Sequence, residues 1–348
     1  MDQKFFEKPL EGQPWDVAII GSGPSAFTAA IYTTRGAAST LVLGGANWGG
    51  QLMLTTDVDN FPGFPEGIQG PELMEKMRAQ AERFHAEIKD EDVHEVELEG
   101  SPFNLKTDSG EYKANSIIIA TGADTKWLGI PGEDKLRGRG VSSCAPCDAP
   151  FFKDKKVVVV GGGDSAMEEA MVLSKYASKV ILMHRRDEFK ASQAMLHKVF
   201  AEEKIQVFHC TEAQELLGEF RLEKAKMKSW KQSKHFNEIN EMIKSNDGNQ
   251  FSDDEEYIYW EMPIDGVFVA IGHVPATNIF KGKIDLDEKG YVKKMEKDGF
   301  KMATSKDGVF VAGDVHDHHY RQAITAAGFG CMAGMDTLSY LDKEPPRY

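Results

Sequence analysis

Four cysteines in 348 residues are too few to staple a secreted fold, so the chain has to rely on buried apolar surface. Two of them, Cys144 and Cys147, stand three positions apart, a spacing that in a reducing compartment belongs to redox or metal-binding groups. Positive charge is scarce too. Against 55 Asp and Glu there are 41 Lys and Arg, and a formal net charge of −14 opposes binding to a nucleic-acid backbone. Any anionic ligand therefore needs a locally built basic site. Long hydrophobic runs are missing: no apolar stretch approaches the ~20 residues of a membrane span. The opening segment MDQKFFEKPLEGQPWD scatters charges and has no signal-peptide apolar region. The expectation is a cytoplasmic protein with neither membrane nor nucleic acid as partner.

What the sequence has in quantity is glycine, 33 residues, and two groups of glycines form a repeat. Val17-Ala-Ile-Ile-Gly-Ser-Gly-Pro-Ser-Ala26 is echoed by Val157-Val-Val-Val-Gly-Gly-Gly-Asp-Ser-Ala166. Each copy runs from a short apolar strand (16–20, 156–160) through a G-x-G-x-x-A turn into helix-like sequence (25–35, 165–176). A second apolar run follows each at βαβ spacing, 40–43 and 179–183. Two further strands, 116–120 and 308–312, end at Thr121-Gly122 and Gly313-Asp314, as strands do when they deliver a loop to a ligand. A single core rarely grows past ~250–300 residues. The expectation is an α/β chain of two Rossmann-like nucleotide-binding domains, the second inserted into the first. The first covers 1–125 and 265–348, and the second covers 126–264. The stretch 224–256, rich in Lys, Asn, Ser and acidic residues, reads as a solvated excursion.

A G-x-G-x-x-A turn brings backbone N–H groups and the positive end of a helix against a pyrophosphate. Gly21, Gly23, Pro24 and Ala26 form one such cradle, and Gly161, Gly163, Asp164 and Ser165 the other. After the second copy, the next strand ends in His184-Arg185-Arg186 with Lys190 beyond, where an NAD site would carry an acid. A basic cluster there suits the 2′-phosphate of NADPH. After the first copy, Leu43-Gly44-Gly45 lacks the ribose-binding carboxylate, and Gly49-Gly50-Gln51 offers main chain to an extended cofactor. With the Asn60 amide available for a flavin ring edge, FAD fits this copy better than a second nicotinamide.

Cys144-Ala-Pro-Cys147 is followed by Asp148 and by Phe151-Phe152. A two-residue spacer lets a small disulfide ring open and close, and a lowered thiol pKa would supply thiolate. Zinc is the alternative, but it needs about four ligands. Cys210 and Cys331 stand alone and read as small buried hydrophobes. The run His316-Asp-His-His319 reads as a cofactor-lining loop that feeds a helix over 322–330, with metal binding as the alternative.

Taken together, these residues resemble the low-molecular-weight thioredoxin reductases over nearly the whole chain. The resemblance rests on Gly21-Ser-Gly-Pro24, Gly49-Gly-Gln-Leu52, Ala120-Thr121-Gly122, Cys144-Ala-Pro-Cys-Asp148, Gly161-Gly-Gly-Asp-Ser-Ala166, His184-Arg-Arg186, Ile271-Gly-His273, and Gly313-Asp314 with Tyr320-Arg-Gln-Ala-Ile-Thr325. It implies the class II pyridine nucleotide-disulfide oxidoreductase fold and a homodimer. It further implies FAD contacts at Gly21, Gly23, Gln51, Asn60, Asp314, Arg321, Gln322 and Ala323, and NADPH contacts at Gly163, Ser165, Arg185 and Arg186.

The implied activity passes reducing equivalents from NADPH through FAD to the Cys144–Cys147 disulfide, then to thioredoxin or a similar dithiol protein. Asp148 would serve as acid/base, Cys147 would face the flavin, Cys144 would attack the partner, and Phe151 and Phe152 would help dock it. In the family the Cys pair reaches both by domain rotation. Three departures stand out: Lys190 in place of a third arginine, Ala276 in place of an asparagine, and a longer 224–256 region. A flavin-dependent dithiol oxidase and a ferredoxin-linked reductase are the rival readings, and the second glycine turn with its arginines argues against both.

Overall fold

A computed structural model of the protein describes residues 8–10, 12–55 and 57–343. The described chain forms two compact units. One runs up to Asp124 and resumes at Val274, and the other is Thr125–His273.

In the first unit, Trp15–Ile20 lies between Thr40–Leu43 and Glu111–Ile119, all parallel. Val309–Val311 extends the parallel set beyond Glu111–Ile119, and Glu87–Lys89 extends it beyond Thr40–Leu43. The central strands do not alternate polar with apolar residues, because parallel strands covered by helices bury both faces. Val17, Ala18 and Ile19 are accordingly all fully buried. Each buried Val or Ile contributes roughly 1.5–3 kcal/mol by leaving water. Helix Pro24–Arg35 starts with proline, whose missing N–H costs nothing in a first turn, and buries Ala26, Phe27, Ala29 and Ala30. Small residues dominate that face, and the long helix Ala323–Leu341 packs closely on it: a Cβ at Gly330 would lie 2.2 Å from the Ser25 carbonyl oxygen. This helix runs eleven residues past the expected end at 330, since no Pro interrupts 323–341.

The second unit repeats the plan. Its parallel sheet has the order Val141–Ser142, Gly266–Val269, Lys156–Val160, Lys179–Met183, Ile205–Phe208. Gly266–Val269 pairs with Lys156–Val160 from Val157↔Gly266 to Val160↔Val269, so the second crossing falls at 273/274 and not near 265. The cause is the burial pattern of this Gly-Val-Phe-Val run, whose four residues are all buried inside that sheet.

The expectation of a solvated excursion over 224–256 is overturned. Lys224–Trp230 pairs with Thr211–Leu217 and Tyr257–Pro263, and Asn249–Asp253 completes a four-stranded antiparallel sheet. Lys-Ala-Lys-Met-Lys-Ser-Trp alternates strictly, its lysines out and Ala225, Met227 and Ser229 in. The charge count hid a period of two. Helix Phe236–Ser245 likewise buries Ile239 and Ile243. Among the described residues, no helix is long and apolar enough to cross a membrane.

Candidate nucleotide sites and redox centre

Both glycine turns are built alike. Gly21 N–H donates to the Leu43 carbonyl (2.9 Å) and Gly161 N–H to that of Met183 (3.1 Å), tying each turn to the end of the neighbouring strand. A Cβ at Gly21, where φ is +124°, would lie 2.1 Å from the Ala120 carbonyl oxygen, and one at Gly161 would lie 2.4 Å from that of Ala270. Nothing but glycine lets the strands converge there. At Gly23 and Gly163, by contrast, an added Cβ meets nothing within 4 Å. Both residues are extended N-caps that make no side-chain capping bond. Each helix N-terminus thus faces open space with unclaimed N–H groups, the arrangement that holds a pyrophosphate.

Around the first turn, Ser22 has a role that the sequence did not signal. Its buried hydroxyl donates to the Gly44 carbonyl (2.6 Å) and accepts from Gly49 N–H (2.9 Å), joining the turn to the glycine-rich loop that runs to Gly50. Gln51 Nε2 donates to Asp124 (3.3 Å), and Asn60 Nδ2 donates to Gln322 Oε1 (3.1 Å). Thr121 Oγ1 donates to the Ala276 carbonyl (2.7 Å), and Gly122 accepts from Ala276 N–H (3.0 Å). The Ala276 position that departs from the family thus works through its backbone.

The Gly313-Asp314 loop carries the plainest sign of a ligand. Asp314 Oδ1 is out of solvent with no hydrogen-bond partner among the described residues, and so is Nε2 of His316. Burial, reinforced by the Asp317 charge, raises the Asp314 carboxyl to about 7, and burial lowers His316 to about 4. Orphaned buried polar atoms are costly unless something bound satisfies them. With the open cradle at Gly23 they fit an extended polar cofactor such as a flavin dinucleotide.

Asp317 serves the backbone of its own loop. Its carboxylate accepts N–H bonds from His319, Tyr320 and Arg321 (3.0–3.2 Å), folding the loop so that Arg321 takes φ +47° just before Gln322 caps the helix that begins at Ala323. Among the described residues, no three His, Cys, Asp or Glu side chains gather as a metal site would require.

Around the second turn, the basic run divides. Arg185, Arg186 and Lys190 are exposed, whereas His184 is 9% exposed and turns inward beneath the turn. A Cβ at Gly162 would lie 2.2 Å from its ring. Burial and the neighbouring arginines lower the His184 pKa, so it is neutral and adds no charge to the cluster. Its Nε2 meets the Glu188 carbonyl (3.0 Å), and its ring stacks on Phe189. Lys190 N–H donates to the Gly162 carbonyl (2.8 Å), which holds the lysine beside the turn. Asp164 accepts from Ser192 N–H (2.7 Å), and Ser165 is half-buried in the first helical turn.

Cys144 and Cys147 are joined as a disulfide with Cα atoms 5.3 Å apart. Cys144 N–H donates to Ser142 Oγ (3.1 Å), its carbonyl accepts from Cys147 and Asp148, and Ala145 N–H donates to Glu169 (2.5 Å). Glu169 lies on helix Asp164–Ser174, so the loop that carries the disulfide is tied to the helix that starts at the second glycine turn. Nothing in the sequence singled it out. Phe151, just past the pair in sequence, is 43% exposed, but Phe152 is buried edge-on against Phe268, so it offers no docking surface. Cys210 is buried as expected, and burial raises its thiol to about 11; Cys331 is half-buried, not fully.

The sequence model of the pyridine nucleotide-disulphide oxidoreductase family matches residues 15–330. A thioredoxin reductase from Mycolicibacterium smegmatis is 45% identical over 329 residues, 94% of this chain and 97% of that one. A Pseudomonas fluorescens protein named glucosaminate ammonia-lyase is 43% identical, also over 329 residues, covering 94% and 95%. The solved thioredoxin reductase from Giardia duodenalis superimposes with a TM-score of 0.82 at 37% identity, covering 95% of this chain and 100% of that one. Two glycine turns and a Cys-x-x-Cys disulfide on one scaffold agree with that match, and the chain belongs to the pyridine nucleotide-disulphide oxidoreductase family, as a flavoprotein oxidoreductase that uses a pyridine nucleotide.

Proposed function

We propose that the protein is an NADPH-dependent thioredoxin-disulfide reductase with FAD as its flavin, working as a cytoplasmic homodimer. The observation that carries this reading is the Cys144–Cys147 disulfide, tethered through Glu169 to the helix whose turn is flanked by Arg185 and Arg186. In this reading the first unit holds FAD, at Gly21, Gly23, Gln51, Asn60 and the 313–323 loop. The second unit holds NADPH, at Gly161–Ser165 and the arginines.

Bound flavin supplies a two-electron relay between nicotinamide and disulfide. The chain's own part starts when two electrons and two protons open the Cys144–Cys147 bond to two thiols. Asp148, adjacent to Cys147, exchanges a proton with the pair so that one sulfur leaves as thiolate. Cys144 then attacks the partner's disulfide, forming a mixed disulfide and expelling one partner thiol. Cys147 attacks Cys144 in turn, restoring the original bond and releasing the partner as a dithiol.

The test is anaerobic titration of the yellow protein with NADPH and NADH, followed by oxidised thioredoxin. Bleaching by NADPH with reoxidation on adding thioredoxin is the expected result, and Cys147→Ser should still bleach yet lose at least ~100-fold in thioredoxin turnover. Absence of bleaching by either nucleotide would move the reading to a dithiol oxidase or a ferredoxin-linked enzyme. Bleaching without thioredoxin reoxidation would point to another acceptor.

A further inference from the structure

The region 224–256 reaches the loop 184–190 that lies beside the second glycine turn. Trp230 N–H donates to the Cys210 carbonyl (3.0 Å), and Cys210 N–H donates in turn to the Arg186 carbonyl (3.4 Å). Just past that strand, Ser233 Oγ donates to Asp187 (2.8 Å), which also accepts from Cys210 Sγ (3.1 Å). A column of rings runs alongside: His184 on Phe189 (4.9 Å), Phe189 on His209 (5.0 Å), His209 on His235 (4.1 Å). Residues 233–235 are therefore pinned from both sides to the loop that displays Arg185 and Arg186.

Between the two pinned residues stands Lys234, exposed; the Ser233 hydrogen bond first, and in smaller part the Lys234 charge, hold the Asp187 carboxyl below its ordinary value. Neither its side chain nor those of Arg185, Arg186 and Lys190 makes a hydrogen bond or ion pair among the described residues. Of the acids in these segments, Asp187 is engaged by Ser233 and Cys210 and Glu238 by His235 (3.6 Å), which leaves Glu188 as one exposed carboxylate against four cations. Four exposed cations from two segments that are tied together, on a chain of net charge −14, suit a compact anion.

We propose that Lys234 is a specificity-determining residue for the 2′-phosphate of NADPH, held in place by Ser233 and His235 as positioning residues. The inference rests on the assignment of the second turn to NADPH. It gives the long 224–256 region a role, since that region adds a cation where Lys190 lacks the fork of an arginine.

The experiment is calorimetric binding of NADP⁺ and NAD⁺ to oxidised holoenzyme, with no turnover. Lys234→Ala should weaken NADP⁺ about fivefold and leave NAD⁺ unchanged, the scale of one exposed charge contact. Lys234→Arg should restore the preference, and Ser233→Ala should lose part of it. Arg186→Ala serves as the control and should weaken NADP⁺ about tenfold or more. If Arg186→Ala acts and Lys234→Ala does not, or if Lys234→Ala weakens both nucleotides equally, the role of Lys234 is overturned and the NADPH assignment stands. If Arg186→Ala also leaves the ratio untouched, the assignment itself falls.

Discussion

At Gly21 the chain leaves a parallel strand with its N–H on Leu43, and the space a Cβ would need is taken by the Ala120 carbonyl; at Gly161 the partners are Met183 and Ala270. The backbone solution is the same in both units, down to an extended glycine N-cap facing open space. The difference lies one residue past the second strand. Gly44 hands its N–H to Lys89 and brings no charge, whereas His184 turns under its turn and leaves Arg185 and Arg186 outside. In the proposed reading a shared scaffold binds the feature common to dinucleotides, and the residues after the strand choose among them.

The largest test of that comparison removes the shared feature. Gly21→Ala meets a backbone oxygen at 2.1 Å and holds a φ of +124° that alanine resists, so we expect a loss of about 3 kcal/mol or more and protein without bound flavin. Gly161→Ala meets its oxygen at 2.4 Å without the φ penalty. A loss of about 2 kcal/mol is expected there, in a protein that stays yellow but no longer bleaches with nucleotide. Thermal melts and visible absorbance read both. If each variant loses both properties, the turns do not serve separate ligands.

The strands that flank these turns could be read directly, because buried parallel strands are near-continuous apolar runs, and Val157–Val160 admits little else. The turns were legible for the same reason, glycine at fixed spacing before a helix. What could not be read was anything that depends on a partner far along the chain. The Ser22 hydroxyl needs Gly44 and Gly49, Glu169 needs Ala145, and the orphaning of Asp314 appears only once its surroundings are known. His184 misled by its neighbours, since two arginines suggest a third cation while the glycine above it admits only a buried neutral ring. Lys224–Trp230 misled by composition, its lysines masking an alternating strand.

A smaller effect should come from Asp314, which has no orphaned carboxylate as a counterpart among the described residues of the second unit. Its carboxyl is raised from an ordinary 3.8 to about 7, so between those values the folded protein without flavin binds more protons than the unfolded chain. By linkage its contribution to stability is greatest at low pH and falls as pH rises toward 7. Asp314→Asn removes that burden. Flavin-free Asp314→Asn should therefore melt higher than flavin-free parent at pH 8, by about 2–4 °C for each kcal/mol relieved, with the gap closing at pH 4. Its flavin affinity should fall by about tenfold, because the amide places an NH2 donor where the carboxylate had a second, charged acceptor oxygen. A pH-independent gap would mean that Asp314 does not titrate in this window.

The finest adjustment lies at Lys190. Its backbone N–H is fixed to the Gly162 carbonyl, so the position is already set beside the turn, and only the exposed head group is free to vary. Lysine offers a point charge, while arginine offers a planar fork that can meet two phosphate oxygens at once. Lys190→Arg should therefore raise the NADPH-over-NADH preference by about two- to threefold in kcat/KM, through KM and not kcat, since the phosphate lies far from the reacting nicotinamide ring and is bound equally before and during reduction. A change confined to kcat would mean that the residue acts on the chemistry and not on the phosphate. No change at all would mean that Arg185, Arg186 and Lys234 already saturate the 2′-phosphate, leaving the first turn and the second distinguished by those three cations alone.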